Sequence, residues 1–549
     1  MRRCLVFRFL AINLIALLMS LFVCGEFPYQ SVLAANITTG KPGAAIFVSK
    51  QAPVVVSLQG NVERLQGLGK EQFSKLKTGF FANTGVNYRQ DVEPWLGNEI
   101  TLAVTTLDID RDPDNGKQPG YLMALATNAP EKSQEFLQLL FSKRVLAGAD
   151  LGVEEYAGIK LISDNSQLEK GMLAGAVVGD KYVLFANDAK VLREAVNNVQ
   201  APDLNLTTAP EYVEAAKQVS KDAFGVVYLN LPAVAEWQGL KLPVQTFDSQ
   251  IISLALNSQG LLAETAAFTP KEVSQDTAEL TKPVGALEYI PPVVSLVVSG
   301  TDLANVGNGN LAAYWQQLVG TLSSKKDVNL NNFVQPLAEI QNLWGIDLAK
   351  DVFSWVQGEY AVALLPNPQQ NRSEWVFVAE KTPATADGIL QLDAIASRNG
   401  LSLTTFTLDN QSIVTWTKIT ANSKKSSKNK ENFSIEAKAY GVHTTIGNYE
   451  VFTSSLETMH EVLTTKDNSF GKNSDFQKSI AVIPKPNQGY IYIDWVKSKE
   501  ILEKQLPILK LVKVVAKPFL EDMRSLTISS YGKESNLLKG GILFKSVNN

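Results

Sequence analysis

The sequence predicts an α+β protein made of two tandem, structurally similar repeats, each a largely antiparallel sheet with helices packed on it. Six local patterns recur in the same order in the two halves of the 549-residue chain, at offsets of roughly 240 to 280 residues, as a duplicated unit would give. Short apolar strands closely followed by second strands indicate hairpins. Apolar residues make up 45 % of the chain, enough for a sizeable core in each half.

The first 35 residues are typical of an export segment. Three arginines stand within the first eight residues, and an apolar run follows from Phe9 to Val23. A basic start before an apolar run of this length indicates a signal peptide, and an uncleaved membrane anchor is the alternative. Cleavage before Ala35 fits the small-residue pattern, while Cys24 leaves lipidation open. We therefore expect residues 1–35 to be a signal peptide or N-terminal membrane anchor, and the rest of the chain to be extracytoplasmic.

The first repeat is predicted at residues 44–270 and the second at 284–545. Residues 36–43 are predicted to be a flexible leader, and the polar stretch 271–283, which ends in Lys-Pro, a linker. Each repeat has the same expected order of elements. It runs from a strand through a long helical stretch, a strand hairpin, a helix, further strands and two helices to a closing pair of strands.

One landmark of the repeat is a tryptophan four residues before a glutamate, in front of the first hairpin. The two copies are Trp95–Glu99 and Trp355–Glu359. Equal positions in two repeats indicate a shared packing role for the two tryptophans. The hairpins that follow are predicted at 100–106 with 120–126, and at 360–365 with 374–379.

Later landmarks keep the same order. Strands at 179–186 and 447–454 end in small polar residues that can cap the helices after them. The remaining pairs are helical segments at 209–219 and 474–483, and closing strand pairs at 251–268 and 526–544.

Residues 422–431, Asn-Ser-Lys-Lys-Ser-Ser-Lys-Asn-Lys-Glu, are a basic, low-complexity insertion between two strands of the second repeat. A hairpin loop without regular structure is the ordinary interpretation. Contact with an anionic surface or partner is the functional alternative.

Asp108, Asp110, Asp112 and Asp114 alternate in the loop of the first hairpin. Alternating carboxylates supply the several oxygens that calcium takes, so these four residues are the candidate metal ligands. The spacing departs from an EF-hand, because the glycine comes one place late and Tyr121 stands where the bidentate glutamate would be. A turn rich in Asp, Pro, Asn and Gly explains the same composition, and we prefer that interpretation.

Two stretches carry a resemblance to a known family. They are residues 45–58, Ala-Ile-Phe-Val-Ser-Lys-Gln-Ala-Pro-Val-Val-Val-Ser-Leu, and residues 107–121, Leu-Asp-Ile-Asp-Arg-Asp-Pro-Asp-Asn-Gly-Lys-Gln-Pro-Gly-Tyr. Both resemble the cyanobacterial domain-of-unknown-function family 3352, and the likeness continues to about residue 545. The resemblance implies an uncharacterised protein that is exported or membrane-anchored, in a periplasm or thylakoid lumen. It implies no activity and no catalytic residue, because that family has none assigned.

Residues for common catalytic chemistries are scarce. Cys4 and Cys24 are the only cysteines, so a product cleaved before Ala35 has no disulfide and no thiol nucleophile. The two histidines are separated, His443 in a strand pattern and His460 in a helix, and no phosphate-binding or nucleophile-elbow motif appears. A net charge of −4 gives no basic excess for nucleic acid. We expect no enzyme, no cofactor apart from the alternative of calcium, and no nucleic-acid partner.

Three functions compete on this evidence. The favoured one is a non-catalytic, extracytoplasmic scaffold or interaction protein, whose partner is a membrane or a membrane-associated protein. The first alternative is a carrier or binder of a lipid or other hydrophobic ligand, held between helices and sheet. The second is a carboxylate-based hydrolase with two facing acids, which the sequence gives no reason to locate.

Overall fold

The structure, a computed structural model, describes residues 42–59, 88–112, 114–166, 173–238, 247–269, 279–308, 311, 346–366, 374–425, 431–465, 467–498, 523–532 and 536–546. The predicted export segment, most of the leader and most of the linker lie outside these residues. Within them there is no helix with the length and apolar content that a membrane span requires. The described chain divides into two units, one before the linker and one from Glu279 onward.

The first unit is built on an antiparallel sheet. Its strands are β1 Val54–Gln59, β2 Leu96–Thr106, β3 Gly120–Thr127, β4 Leu151–Tyr156, β5 Ile159–Asp164, β6 Leu173–Val178, β7 Tyr182–Ala186, β8 Gly225–Asn230, β9 Ser249–Asn257 and β10 Gly260–Phe268. Its helices are α1 Pro130–Leu146, α2 Ala189–Gln200, α3 Pro210–Ala216 and α4 Leu231–Gln238. The strand order is β4-β5-β6-β7-β3-β2-β1-β8-β9-β10.

The second unit has the same strand order, position by position. Its strands are β11 Leu296–Thr301, β12 Glu359–Leu365, β13 Glu374–Glu380, β14 Ser402–Leu408, β15 Gln411–Lys425, β16 Glu431–Ile446, β17 Tyr449–Thr453, β18 Tyr490–Asp494, β19 Met523–Tyr531 and β20 Leu537–Ser546. Its helices are α5 Pro383–Arg398, α6 Leu456–Thr464 and α7 Ser474–Ala481. The order is β14-β15-β16-β17-β13-β12-β11-β18-β19-β20. The predicted α+β class with antiparallel strands is confirmed.

Small polar residues start α2 and α6, as the sequence predicts. The Asp188 carboxylate accepts a hydrogen bond from the backbone N–H of Lys190 at 2.8 Å and caps α2. Ser455 caps α6 through the N–H of Thr458 at 3.2 Å. These caps pair backbone donors that a helix leaves free at its first turn.

The two landmark tryptophans are buried in equivalent environments. Trp95 packs on Phe136 of α1, with ring centroids 5.2 Å apart. Its indole N–H donates to the backbone oxygen of Asp91 at 2.7 Å, and the indole of Trp355 donates to that of Asp351 at 2.9 Å. Each ring therefore fills the core and fixes the turn that leads into a hairpin.

The glutamates of the same landmarks form what we call the carboxylate clasp. In the first unit Glu99 Oε2 accepts hydrogen bonds from the Gly43 N–H at 3.0 Å and the Tyr182 hydroxyl at 3.2 Å. In the second unit Glu359 Oε2 accepts from the Gly285 N–H at 2.6 Å and the Tyr449 hydroxyl at 2.7 Å. Each clasp ties the segment before the first strand of its unit to the sheet.

Candidate interaction surface

The hairpin β15–β16 extends beyond its sheet. β14 pairs with β15 only as far as Thr417, and β17 pairs with β16 only from Val442 onward. Over Lys418–Lys425 and Glu431–Lys438, eight residues on each side, the two strands pair only with each other among the described residues. We call these two segments the arm. The hairpin β5–β6, at the matching place in the first unit, has strands of six residues.

The arm includes half of the predicted basic insertion. The sequence led us to expect an irregular hairpin loop at 422–431, but residues 422–425 continue β15 and Glu431 begins β16. Residues 426–430 lie outside the described chain. The strands continue because each residue has a cross-strand partner, from Ala421 with Ile435 to Lys425 with Glu431. Pairing of this kind needs no burial, so a polar composition does not prevent it.

Register sorts the residues of the arm onto two faces. Ile419 stands opposite Ala437, and Ala421 stands opposite Ile435. Because successive residues of a strand alternate between faces, these apolar positions share one face of the ribbon. The Ile419 side chain is 59 % exposed.

Lysines mark the other face. Lys418 and Lys438 stand directly opposite each other, and both are exposed. Like charges in this position destabilise a strand pair. The ammonium of Lys438 lies 5.7 Å from the ring centroid of Tyr440. From Gln411 to Ile446 the sequence has six lysines and two glutamates, a net charge of +4, while the whole chain carries −4.

β14 is the outermost strand next to the arm. Within the described residues it pairs with β15 alone, and Ser402–Thr407 are exposed. It carries no charged residue, and Leu403 and Phe406 are 42 % and 37 % exposed. The sequence landmarks missed this strand. A run of Thr, Leu and Phe, which favour extended structure, before an Asp-Asn turn is the signal that identifies it.

Contacts of Trp416 and His460 link the elements around this edge. The Trp416 indole N–H donates to Asp393 Oδ1 of α5 at 2.7 Å, and Nε2 of the buried His443 lies 3.4 Å from the same oxygen. His460 Nδ1 lies 2.5 Å from Asp409 Oδ2 in the turn between β14 and β15. The expected positions of His443 in a strand and His460 in a helix are confirmed.

The four candidate calcium ligands lie in an exposed loop between β2 and β3. The carboxylates of Asp108, Asp110 and Asp112 accept hydrogen bonds from the loop itself, and the shortest is from the Asn115 amide to Asp110 Oδ2 at 2.7 Å. This hydrogen bond is the main cause that holds the pKa of Asp110 below its usual value. Backbone N–H groups donate to three further oxygens: Gln118 to Asp108 at 3.2 Å, Asp112 to Asp110 at 3.1 Å, and Asp114 to Asp112 at 3.0 Å. No three Asp, Glu, His or Cys side chains of the described chain are grouped to hold a metal, and the calcium site stays a prediction.

A cleft of about 290 Å³ opens on the first unit beside β4, β5 and the start of α2. Two of its carboxylates are held by arginines. Arg193 makes two hydrogen bonds to Glu154, at 2.6 and 3.0 Å. Arg144 Nη2 lies 2.5 Å from Oδ2 of the buried Asp164. Burial raises the pKa of Asp164, but hydrogen bonds from Ser166 and Arg144 outweigh burial, and the pKa lies below its usual value.

Comparison with known proteins identifies the family. The model of the family described as "Protein of unknown function (DUF3352)" matches residues 9–546. The chain belongs to the DUF3352 family. The family suggested by residues 45–58 and 107–121 is thus confirmed, and no curated protein matches this DUF3352 chain.

Three crystal forms of TP0453 are similar to parts of the DUF3352 chain. Forms I, IV and III are 10 %, 10 % and 9 % identical to it, with TM-scores of 0.25, 0.24 and 0.25. The matches cover 44 %, 42 % and 45 % of this chain, and 82 %, 81 % and 90 % of those chains. Scores this low carry no argument about fold or function.

Proposed function

We propose that this DUF3352 protein is a non-catalytic, extracytoplasmic interaction protein that docks onto an anionic membrane surface through the arm. The observation that carries the proposal is the length of paired strand beyond the sheet, eight residues on each side. A two-stranded ribbon is at best marginally stable in water without a further layer. An extension of this kind therefore indicates an element that rests on something outside the fold.

Charge supports an anionic surface as the docking target. The hairpin that contains the arm has a net charge of +4. Because the whole chain has a net charge of −4, the rest of the chain carries −8. A basic residue near an anionic membrane contributes about 1 kcal/mol of attraction. An anionic surface also relieves the repulsion between Lys418 and Lys438. The acidic remainder of the chain is repelled, so the arm is the part that approaches.

We also propose that the two units are repeats of one duplicated fold. Their identical strand orders support this, as do the paired tryptophans and the two carboxylate clasps. The arm is then a difference between two otherwise similar units. An elaboration on one copy of a duplicated scaffold is a natural place for function, because the shared scaffold supplies stability in both.

The expected export segment supports a membrane setting. A signal peptide or anchor at residues 1–35 would leave the rest of the chain across a membrane, in a periplasm or thylakoid lumen. The two alternatives, a lipid carrier and a carboxylate hydrolase, have no comparable support in the described residues. The cleft on the first unit has a mixed lining of ion pairs and small residues rather than an apolar wall.

Vesicle co-sedimentation tests the proposal. The full-length chain is expressed with its own N-terminal segment and purified as the cell processes it. It is then mixed with vesicles that contain or lack an anionic phospholipid. We expect binding to the anionic vesicles, weaker binding at high salt, and about a 1,000-fold loss of affinity when four lysines of the arm become glutamine. The variant is K418Q/K424Q/K425Q/K438Q.

The control variant changes net charge by the same amount elsewhere. It replaces four exposed lysines of the first unit, as K132Q/K160Q/K181Q/K221Q. We expect it to bind like the unmodified protein. Equal binding to neutral vesicles, equal loss in both variants, or no binding to anionic vesicles would each contradict docking through the arm.

A further inference from the structure

We propose that β14 joins two copies of this chain into a symmetric dimer, in which β14 of one copy pairs antiparallel with β14 of the other. This surface is distinct from the arm, and the inference does not depend on membrane binding. It concerns Ser402–Leu408, an edge that pairs with β15 alone among the described residues.

An edge of this kind is unusual in a soluble fold. Natural proteins block exposed edges with charged residues, prolines, bulges or covering segments, because free backbone groups recruit other strands. β14 has none of the first three, and six of its seven residues are exposed. Thr, Phe and Leu also favour extended structure. An unblocked edge strand whose residues favour extended structure indicates that another strand pairs with it.

The matching edge of the first unit is blocked. β4 carries Glu154 and Glu155, and Arg193 fixes the first of them with two hydrogen bonds. A second strand added there would meet these charges. The two edges therefore provide a comparison within one molecule, in which only β14 is open to pairing.

Hydrogen-bond geometry identifies which residues of β14 face outward. Leu408 and Gln411 flank the two-residue turn Asp409-Asn410, whose φ angles are 50° and 65°. Two positive φ values indicate a type I′ turn, and the pair that closes such a hairpin exchanges both of its backbone hydrogen bonds. Since bonded and non-bonded pairs alternate, Leu403, Thr405 and Thr407 direct their N–H and C=O groups away from β15.

A second copy of β14 satisfies these groups without a gap. A two-fold axis at Thr405 pairs this residue with its own copy and pairs Leu403 with Thr407 of the second copy. All outward groups of the three residues then form hydrogen bonds, six in total by the antiparallel pattern. The pairing sets no like charges against each other, because β14 has no charged residue. A contact of this form is isologous and closes at two subunits.

Apolar side chains beside the edge gain burial in this arrangement. Phe406 lies opposite Thr404 of the second copy, and Leu390 of α5, 66 % exposed, lies in the helix that packs beside β14. Cross-strand aromatic and threonine pairs add to the stability of an antiparallel pair. The partner that fits this edge is therefore a second copy of the chain.

Sedimentation equilibrium of the purified full chain tests the proposal, and Thr405→Pro is the decisive variant. The N–H at this position points away from β15, so its loss removes no hydrogen bond inside the unit, and edge strands accept proline. In the dimer the variant removes two hydrogen bonds at the two-fold axis. We expect the unmodified chain to be dimeric and the variant to raise the dissociation constant at least about tenfold.

Val153→Pro is the matched control. Val153 stands three residues before the turn pair Tyr156–Ile159, as Thr405 stands three before Leu408. We expect this control to leave the dimer unchanged. Thr405→Lys, which sets two lysines face to face, is the second disrupting variant, and circular dichroism checks that every variant is folded.

Several outcomes would overturn the inference. A monomeric unmodified chain, a dimer unaffected by both substitutions at Thr405, or equal loss with Val153→Pro would each do so. A monomer that binds an extended peptide along β14 would assign the edge to another partner. Vesicle binding is measured separately, so failure of the dimer and failure of membrane docking are distinguishable.

Discussion

Loss of the clasp carboxylate in the first unit is expected to destabilise the protein more than the same loss in the second unit. The two substitutions are Glu99→Ala and Glu359→Ala. Glu99 Oε1 accepts hydrogen bonds in addition to the two on Oε2, whereas Glu359 Oε2 has the two contacts of the clasp. The Oε1 donors are the Ala44 N–H at 3.0 Å, the Thr101 hydroxyl at 2.9 Å and the Ser57 hydroxyl at 3.3 Å.

The magnitude follows from what each substitution leaves unpaired. Thr101 also donates to Ser57 at 2.8 Å, so these two hydroxyls keep one partner when the carboxylate is lost. The Ala44 N–H belongs to a residue with no exposed surface, and an orphaned buried donor costs about 1–3 kcal/mol. With the remaining bonds to a charged acceptor, Glu99→Ala should lower the free energy of unfolding by about 3 kcal/mol, and Glu359→Ala by about 1.5 kcal/mol.

Urea denaturation monitored by tryptophan fluorescence measures both values. Glu155→Ala on the exposed face of β4 is the control, and it should stay within about 0.5 kcal/mol of the unmodified protein. A larger loss for Glu359→Ala than for Glu99→Ala would refute the reasoning. A loss near the control value for both would show that the clasp does not stabilise the fold.

Three further predictions concern other contacts. Arg144→Gln leaves the buried Asp164 carboxylate without its cation and should cost about 3 kcal/mol at pH 7 by urea denaturation. The folded-state pKa of Asp164 lies below its usual value, so the ionised carboxylate stabilises the fold above a pH of about 4 and this stabilisation is lost on acidification. The difference in free energy of unfolding between the unmodified protein and Arg144→Gln should therefore shrink at pH 3. Gly388→Ala should lower the free energy of unfolding by about 1–3 kcal/mol, against the helix preference of alanine, because the new Cβ would lie 2.4 Å from Cγ of Trp355. Calcium should leave the melting temperature unchanged, because the Asp110 carboxylate already accepts hydrogen bonds from its own loop. A calcium-dependent rise in melting temperature that Asp110→Asn abolishes would establish the calcium site.

Much of the fold could be predicted where apolar strands end at turn residues. The hairpin strand expected at 120–126 is β3, Gly120–Thr127, and the strand expected at 374–379 is β13, Glu374–Glu380. The helix expected after Gly179–Ala186 is α2, which begins after its Asp188 cap. Both strands are buried on their two faces, which leaves a continuous apolar run in the sequence, whereas α2 buries one side and leaves a helical apolar period.

The interaction surface was harder to predict because burial does not produce it. β14 is exposed on both faces, so its sequence lacks the apolar alternation of a half-buried strand. Residues 422–425 have a loop-like composition, yet they pair across a ribbon by backbone hydrogen bonds. Composition reports burial well and cross-strand pairing poorly, so the basic, low-complexity composition of residues 422–431 predicted a loop where the structure has paired strands.

Hydrogen–deuterium exchange of the full chain, with and without anionic vesicles, tests the central claim most directly. Docking through the arm predicts slower exchange at Lys418–Lys425 and Glu431–Lys438 when anionic vesicles are present, with no change when the vesicles are neutral. Protection confined to the first unit, or none in the arm while the protein is vesicle-bound, would contradict the account.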